Sequence, residues 1–214
     1  DECRLRNYSK RTIKNYLHYN QKFIKFTKKQ PHKVTQEDVK LYLLYLIDKG
    51  KSSSTVNLAH NALNFYYRVI MKRKFNDIPF QKREEKTRET LSKDEIKRLV
   101  PVLKNKKHKL MIDLMYASGV RVSELIKIKT YHLDFPRKLL LVKQGKGKKD
   151  RYTILSETVI DDIKNYLQHR KSDSIYLFET KTGHITTRTV QEVLKQARKR
   201  AKIVKPVTPH ILRH

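Results

Sequence analysis

Between Lys72 and Thr90 the sequence KRKFNDIPFQKREEKTRET stops obeying any helical period, and this interruption constrains the fold more than any other feature of the chain. The stretch is crowded with charge, carries Pro79 and offers no apolar stripe over most of its length. It reads as a linker over residues 76–90, between an N-terminal unit of 1–75 and a C-terminal unit of 91–214. With 214 residues, each side is long enough to bury a core of its own.

The first unit reads as helices throughout. After Ser9, residues Ile13, Tyr16, Leu17, Phe23 and Ile24 keep helical spacing on one face. Thr35 with Asp38 resembles a helix start, followed by Val39, Tyr42, Leu43, Leu46 and Ile47, and Gly50 is a natural stop. A third helix is expected from Ser52 through Val56, Ala59, Leu63, Tyr66 and Ile70. Its polar side would present His60, Asn61, Asn64, Arg68 and Lys72 to phosphates and base edges, or only to water.

The second unit mixes elements. Ser92 stands three residues before Glu95, the spacing of a capping box, so a helix starts there. A helix through Leu110, Met111, Leu114 and Met115 ends at Gly119, and RVSELIKI suggests another directly after it. KLLLVK (138–143) and RYTIL (151–155) are strand-like runs flanking QGKGKKD, which predicts a β-hairpin. Helical spacing returns with Val159, Ile160, Ile163, Tyr166 and Leu167, then with Val190, Val193, Leu194 and Ala197. Thr208 suits an N-cap and Pro209 the first helical position, placing His210 and Arg213 one turn apart on a final helix. The expected fold class is mainly α (α+β): a helical domain, then a mixed helical domain with a small antiparallel sheet.

The formal net charge of +29 calls for a polyanion. Nucleic acid is the usual partner, since each neutralised phosphate releases counterions, although ribosomal and membrane-surface proteins reach similar charge. The single cysteine, Cys3, excludes an internal disulfide and a multi-cysteine zinc site. No apolar run is long enough to cross a bilayer and no secretory signal is visible, so the expectation is a cytoplasmic protein without a membrane partner.

Four basic side chains stand out by position. Arg121 opens a helix after a glycine turn, where its guanidinium and free backbone N–H groups can face an anion together. Lys146 sits between two glycines at the hairpin tip, and His210 and Arg213 share the first turn of the last helix. Two guanidiniums, an imidazole and an ammonium around one phosphate would neutralise its non-bridging oxygens and handle protons. Such a site needs no metal or other cofactor, and the carboxylates are scattered rather than clustered.

ASGVRVSELIKIK, GKGKKDRYTIL and PHILRH, in that order, resemble the catalytic domain of the tyrosine recombinases, especially the Xer-like integrases and recombinases. NYSKRTIKNYLHYNQKFIKF and SSSTVNLAHNALNFYYR resemble the helical, SAM-like core-binding domain of that family, so the resemblance spans nearly the whole chain. It implies site-specific strand exchange on double-stranded DNA through a 3′-phosphotyrosyl intermediate and a Holliday junction, as in chromosome-dimer resolution or integration of a mobile element. It also implies a homo-tetramer on synapsed DNA, a monomer or dimer without DNA, and in some members a paralogous recombinase partner. Carried over by motif, Arg121 and Arg213 would grip the scissile phosphate. Lys146 would protonate the departing 5′-oxygen, with Lys143, Lys148 and Lys149 as rival phosphate contacts in the same loop. His210 would hydrogen-bond the phosphate and assist proton transfer, and Glu124 would orient the site from behind. Arg188, heading a helix after HITT, lies where the family often contacts DNA, and Lys148 is a further DNA-binding candidate.

The sequence departs from the family in one respect. The nucleophilic tyrosine belongs several helical turns beyond the His-x-x-Arg motif, whereas all twelve tyrosines here precede that motif. No nucleophile is therefore assigned within these residues, and the segment by itself is expected to be inactive. A type IB topoisomerase-like enzyme and a non-catalytic DNA-binding protein are the alternative readings.

Overall fold

The computed structural model describes residues 2–73, 75, 78–82, 89–143, 149–181 and 183–213, and the chain divides into two compact units, Asp1–Thr87 and Arg88–His214.

The first unit is helical: α1 (Glu2–Leu5), α2 (Lys10–Thr27), α3 (Gln36–Asp48) and α4 (Ser53–Asn64). Each long helix begins on a hydroxyl that satisfies an otherwise unpaired backbone N–H. Ser9 accepts from the Thr12 N–H at 3.0 Å, and Ser52 from the Thr55 N–H at 3.4 Å. Thr35 and Asp38 form a reciprocal capping box. Gly50 adopts φ +66°, the left-handed conformation that stops α3 without a Cβ clash. Phe23, Tyr42, Leu43, Leu46, Val56, Ala59, Leu63 and Tyr67 form the core, and the Phe23 ring meets Tyr42 and Tyr67 edge-on at 5.3 and 6.1 Å.

Three details differ from the sequence expectation. Leu17 is 59% exposed because Tyr16, Asn20 and Phe23, not Leu17, turn toward the neighbouring helix, Asn20 donating to the Ala62 carbonyl at 3.1 Å. Ile47 likewise ends on the open side of α3. The third helix does not stay α-helical to Ile70: Phe65–Ile70 widens into a π-helical turn that keeps Tyr67 in the core under Leu63. Part of the supposed linker is also a strap. Asn57, buried in α4, exchanges two hydrogen bonds with the Gln81 backbone, at 2.8 and 2.9 Å.

The second unit contains α5 (Lys93–Leu99), α6 (Lys106–Ser118), α7 (Val122–Leu125), β1 (Leu133–Asp134), β2 (Leu139–Val142), β3 (Arg151–Ile154), α8 (Glu157–His169), β4 (Glu179–Thr180), β5 (Gly183–His184) and α9 (Thr187–Arg200). Helix α6 is its axis, packed against α7, α8, α9 and a closing 3-10 turn, Ile211–Arg213. Strands β1, β2 and β3 form one antiparallel sheet in that order, with Val142 opposite Arg151 and Leu140 opposite Thr153. Strands β4 and β5 make a separate small hairpin. Glu179 at its start gathers Arg170, Lys107 and the Tyr166 hydroxyl, which ties the hairpin to α6 and α8.

Helix α7 is shorter than RVSELIKI suggests. Ile128 accepts from the Leu177 N–H at 2.8 Å and Thr130 donates to the Ile175 carbonyl at 2.8 Å, so pairing with 175–177 pulls the chain out of the helix. The last turn is likewise 3-10 rather than α, although Thr208 caps it as expected, its hydroxyl accepting from the Ile211 N–H at 3.4 Å.

Candidate active site

Gly119 ends α6 at φ +62°, and the chain then turns so that Arg121 stands immediately before α7. Val120 and Leu125, on either side of this turn, are fully buried. The turn is therefore rigidly seated, and its polar side is organised by Glu124.

Glu124 is buried, its side chain 5% exposed, and its two oxygens receive four hydrogen bonds. Oε1 accepts from Arg121 Nη1 at 2.7 Å and Arg151 Nη1 at 3.0 Å. Oε2 accepts from the Arg121 backbone N–H at 2.8 Å and Arg151 Nη2 at 2.7 Å. These bonds fill the lone-pair capacity of the carboxylate. Burial alone would raise its pKa, but the Arg151 fork, then the backbone and side chain of Arg121, override it and hold the group at about 2. Glu124 is thus ionised at any working pH, flanked by two arginine side chains that are each 36% exposed.

Strand β3 brings Arg151 here by alternation. Arg151 and Thr153 turn inward while Tyr152 and Ile154 face out, and Thr153 Oγ1 donates to the Ser118 carbonyl at 2.9 Å. Arg151 lies within GKGKKDRYTIL, a motif that by itself assigns it no role. The available signal was its period: an arginine two residues from a threonine, on the inward phase of a strand next to a basic turn. His132 was also missed. It is buried, its Nδ1 accepts from the Lys129 N–H at 3.2 Å, and burial followed by the Lys143 and Lys129 charges lowers its pKa. It borders a cleft of about 310 Å³ that opens beside Glu124 and is lined also by Lys127, Lys129, Tyr176 and His184.

The remaining predicted residues fall in several places. His210 is exposed at the start of the closing turn, and Leu212 in that turn is buried in the same core as Val120 and Leu125. One core therefore seats both the Arg121 turn and the His210 segment. Lys146, Lys148 and the side chain of Arg213 lie outside the described residues. In the first unit Asn61, Asn64 and Arg68 are exposed along one side of the third helix. His60 is not on that open side: it is 6% exposed, stacks on Phe80 with ring centroids 4.3 Å apart, and has its pKa lowered by burial. The hydrophobic strap of Phe80 covers it, so its place on an open DNA-facing surface is corrected. Arg188 is 82% exposed and 3.7 Å from Glu192. Among the described residues no group of His, Cys, Asp and Glu is arranged to hold a metal ion, and no helix is long and apolar enough to cross a membrane.

The family described as "Phage integrase family" matches residues 89–214, and "Phage integrase, N-terminal SAM-like domain" matches residues 1–77. Tyrosine recombinase XerA of Pyrococcus horikoshii is 34% identical over 211 residues, which cover 96% of this chain and 72% of that protein. A tyrosine recombinase of Thermosipho africanus is 30% identical over 224 residues, 98% of this chain and 79% of the relative. Among solved structures, a XerA recombinase aligns over 98% of this chain and 77% of its own, at 30% identity and a TM-score of 0.55. XerH bound to its difH substrate aligns over 98% and 69%, at a TM-score of 0.77 and 18% identity, a similarity of fold.

Proposed function

We propose a division of catalytic labour for a chain that belongs to the phage integrase family and is a tyrosine recombinase of the Xer type, an enzyme of site-specific DNA strand breaking and rejoining. Arg121, with Arg213, holds the non-bridging oxygens of the scissile phosphate. Lys146 delivers a proton to the departing 5′-oxygen, and His210 hydrogen-bonds the phosphate and assists proton transfer. The family's tyrosine supplies its phenolic oxygen: a phosphorus–oxygen bond to that tyrosine forms as the bond to the 5′-oxygen breaks. The 5′-hydroxyl of a partner strand then reverses the exchange. One ester replaces another, so bond energy is kept and the step draws on no cofactor.

The observation that carries this reading is the state of Arg121. Its backbone N–H and one side-chain nitrogen are pinned to a saturated, ionised carboxylate, while the side chain as a whole is still about a third exposed at a rigid turn. An arginine fixed in place and still open to solvent can receive a phosphate without reorganising, which is what stabilising a pentacoordinate phosphorus requires. The partner is double-stranded DNA: XerH was solved on difH, and a lambda integrase tetramer on a Holliday junction. For this chain we extend that to an oligomer on DNA, a tetramer when two sites are synapsed. Asn61, Asn64 and Arg68, exposed on one side of the third helix, and Arg188 in the second unit are the proposed backbone contacts.

Arg121→Ala in the full-length protein tests the assignment. Covalent protein–DNA adduct should disappear while affinity for the duplex stays within about tenfold, because the other phosphate contacts remain. Parent-level adduct from R121A would overturn it.

A further inference from the structure

We propose that Arg151 is a positioning residue for strand cleavage: from the first residue of β3 it saturates Glu124, and so leaves Arg121 charged, oriented and free to hold the phosphate. The proposal rests on the role given above to Arg121.

Three observations carry it. The first is the distribution of hydrogen bonds. Arg151 commits both Nη nitrogens to Glu124, fork to fork, at 3.0 and 2.7 Å. Arg121 commits one, Nη1, and so spends one of its five N–H groups on Glu124. The two arginines are therefore not equivalent: one is the anchor and the other keeps its donors for a ligand.

The second is charge. Glu124 with Arg121 alone would be a neutral pair, which has little attraction for a phosphate monoanion. With Arg151 the cluster carries one net positive charge, and the carboxylate no longer has a vacant lone pair with which to draw Arg121 away from the ligand.

The third is placement. Arg151 and Thr153 turn to the same side of β3, and each meets one end of the turn that carries Arg121. Thr153 reaches the Ser118 carbonyl before the turn, and Arg151 reaches Glu124 after it. The strand thus brackets Arg121. A surface ion pair placed for stability alone would not need both arms of the bracket.

The test is single-turnover cleavage of a nicked suicide duplex by the full-length protein, with the equilibrium constant for DNA binding measured alongside. Five variants are compared: R151M, R151K, E124Q and the double variants R151M/E124Q and R151K/E124Q, each checked for folding by circular dichroism. Arg151→Met should slow cleavage at saturating DNA by about tenfold or more while Kd moves by less than about threefold. In the E124Q background, where no charge is left to balance, the same change should cost less than about twofold. Arg151→Lys, which keeps the charge but gives up the two-pronged contact, should cleave at a rate between those of the parent and R151M.

Equal losses in both backgrounds would overturn the proposal, since Arg151 would then act on DNA by itself. So would a loss seen in Kd alone, or no loss at all. If R151M does not fold, R151K decides: slower cleavage at unchanged Kd that is absent in the E124Q background supports the role, and a parent-level rate, or a loss seen in Kd alone, refutes it. The same assay separates this proposal from the one beneath it. An R121A variant that cleaves like the parent removes both. An inactive R121A beside an unaffected R151M removes only this one.

Discussion

Replacing Glu124 with glutamine is the perturbation that the structure prices best. The carboxyl is held at about 2, against 4.5 for an ordinary glutamate, so at neutral pH its ionised form contributes about 3 kcal/mol to folding. The sign follows from a depressed pKa: the contribution is complete above about 4.5 and fades as pH falls toward 2. Glutamine keeps the volume but loses the charge. It also turns an N–H₂ group toward a place where all four neighbours are donors. For the second unit a loss of about 3 kcal/mol corresponds to a melting temperature lower by roughly 10 °C at pH 7. The assay is thermal or urea unfolding of parent and E124Q between pH 7 and pH 3. The gap between them should narrow as the buffer is acidified, because protonation takes from the parent what the substitution has already removed. A gap below about 0.5 kcal/mol at pH 7, or one that stays constant down to pH 3, would refute the claim that Glu124 is a buried, doubly paired anion.

Two further predictions concern the helix that supports this site. Asp113 on α6 has its pKa raised to about 6 by burial, opposed by Lys109 and reinforced by the charge of Asp162. Its ionised form therefore costs stability above that pH, and Asp113→Asn should stabilise the fold by about 1–3 kcal/mol at pH 8 with the gain vanishing below pH 4. A chemical-denaturation series at the two pH values reads this directly, and a destabilised variant at pH 8 would contradict the burial. Gly119→Ala meets no atom within 4 Å of the added methyl, so its whole cost is the left-handed backbone, about 1 kcal/mol in an unfolding experiment. A neutral result would mean that α6 does not end in that conformation.

The elements that the sequence made legible are those whose signals are local. Thr35 with Asp38, Ser92 with Glu95, and Gly119 mark ends through contacts within four residues, and the helices begin and stop there. The pairing of β2 with β3 was legible because the two strands are close in sequence and differ in composition from the residues between them. What could not be read depends on partners far along the chain. Helix α7 is cut short by pairing with 175–177, some fifty residues away, and β1, β4 and β5 are two-residue strands with no alternation to detect. His60 left the polar stripe for the same reason: Phe80, twenty residues further on, folds back to cover it. Arg121 and Glu124 were legible as a pair one helical turn apart, but not Arg151, which joins them from a strand twenty-seven residues downstream.

That hidden arginine explains why an acidic residue belongs in such a site at all. In a chain of formal charge +29, general attraction for DNA is plentiful, and a buried carboxylate at the proposed phosphate site works against it. Electrostatic attraction therefore cannot be the reason for Glu124. What general attraction does not supply is discrimination between one phosphate and its neighbours along the same strand, and that has to come from donors held at fixed angles. A carboxylate taking four hydrogen bonds fixes Arg121 as such a donor, with Arg151 as the anchor. Doing so with Arg121 alone would cancel the charge that it orients. The second arginine restores that charge from a different strand, so the site keeps both its direction and its sign.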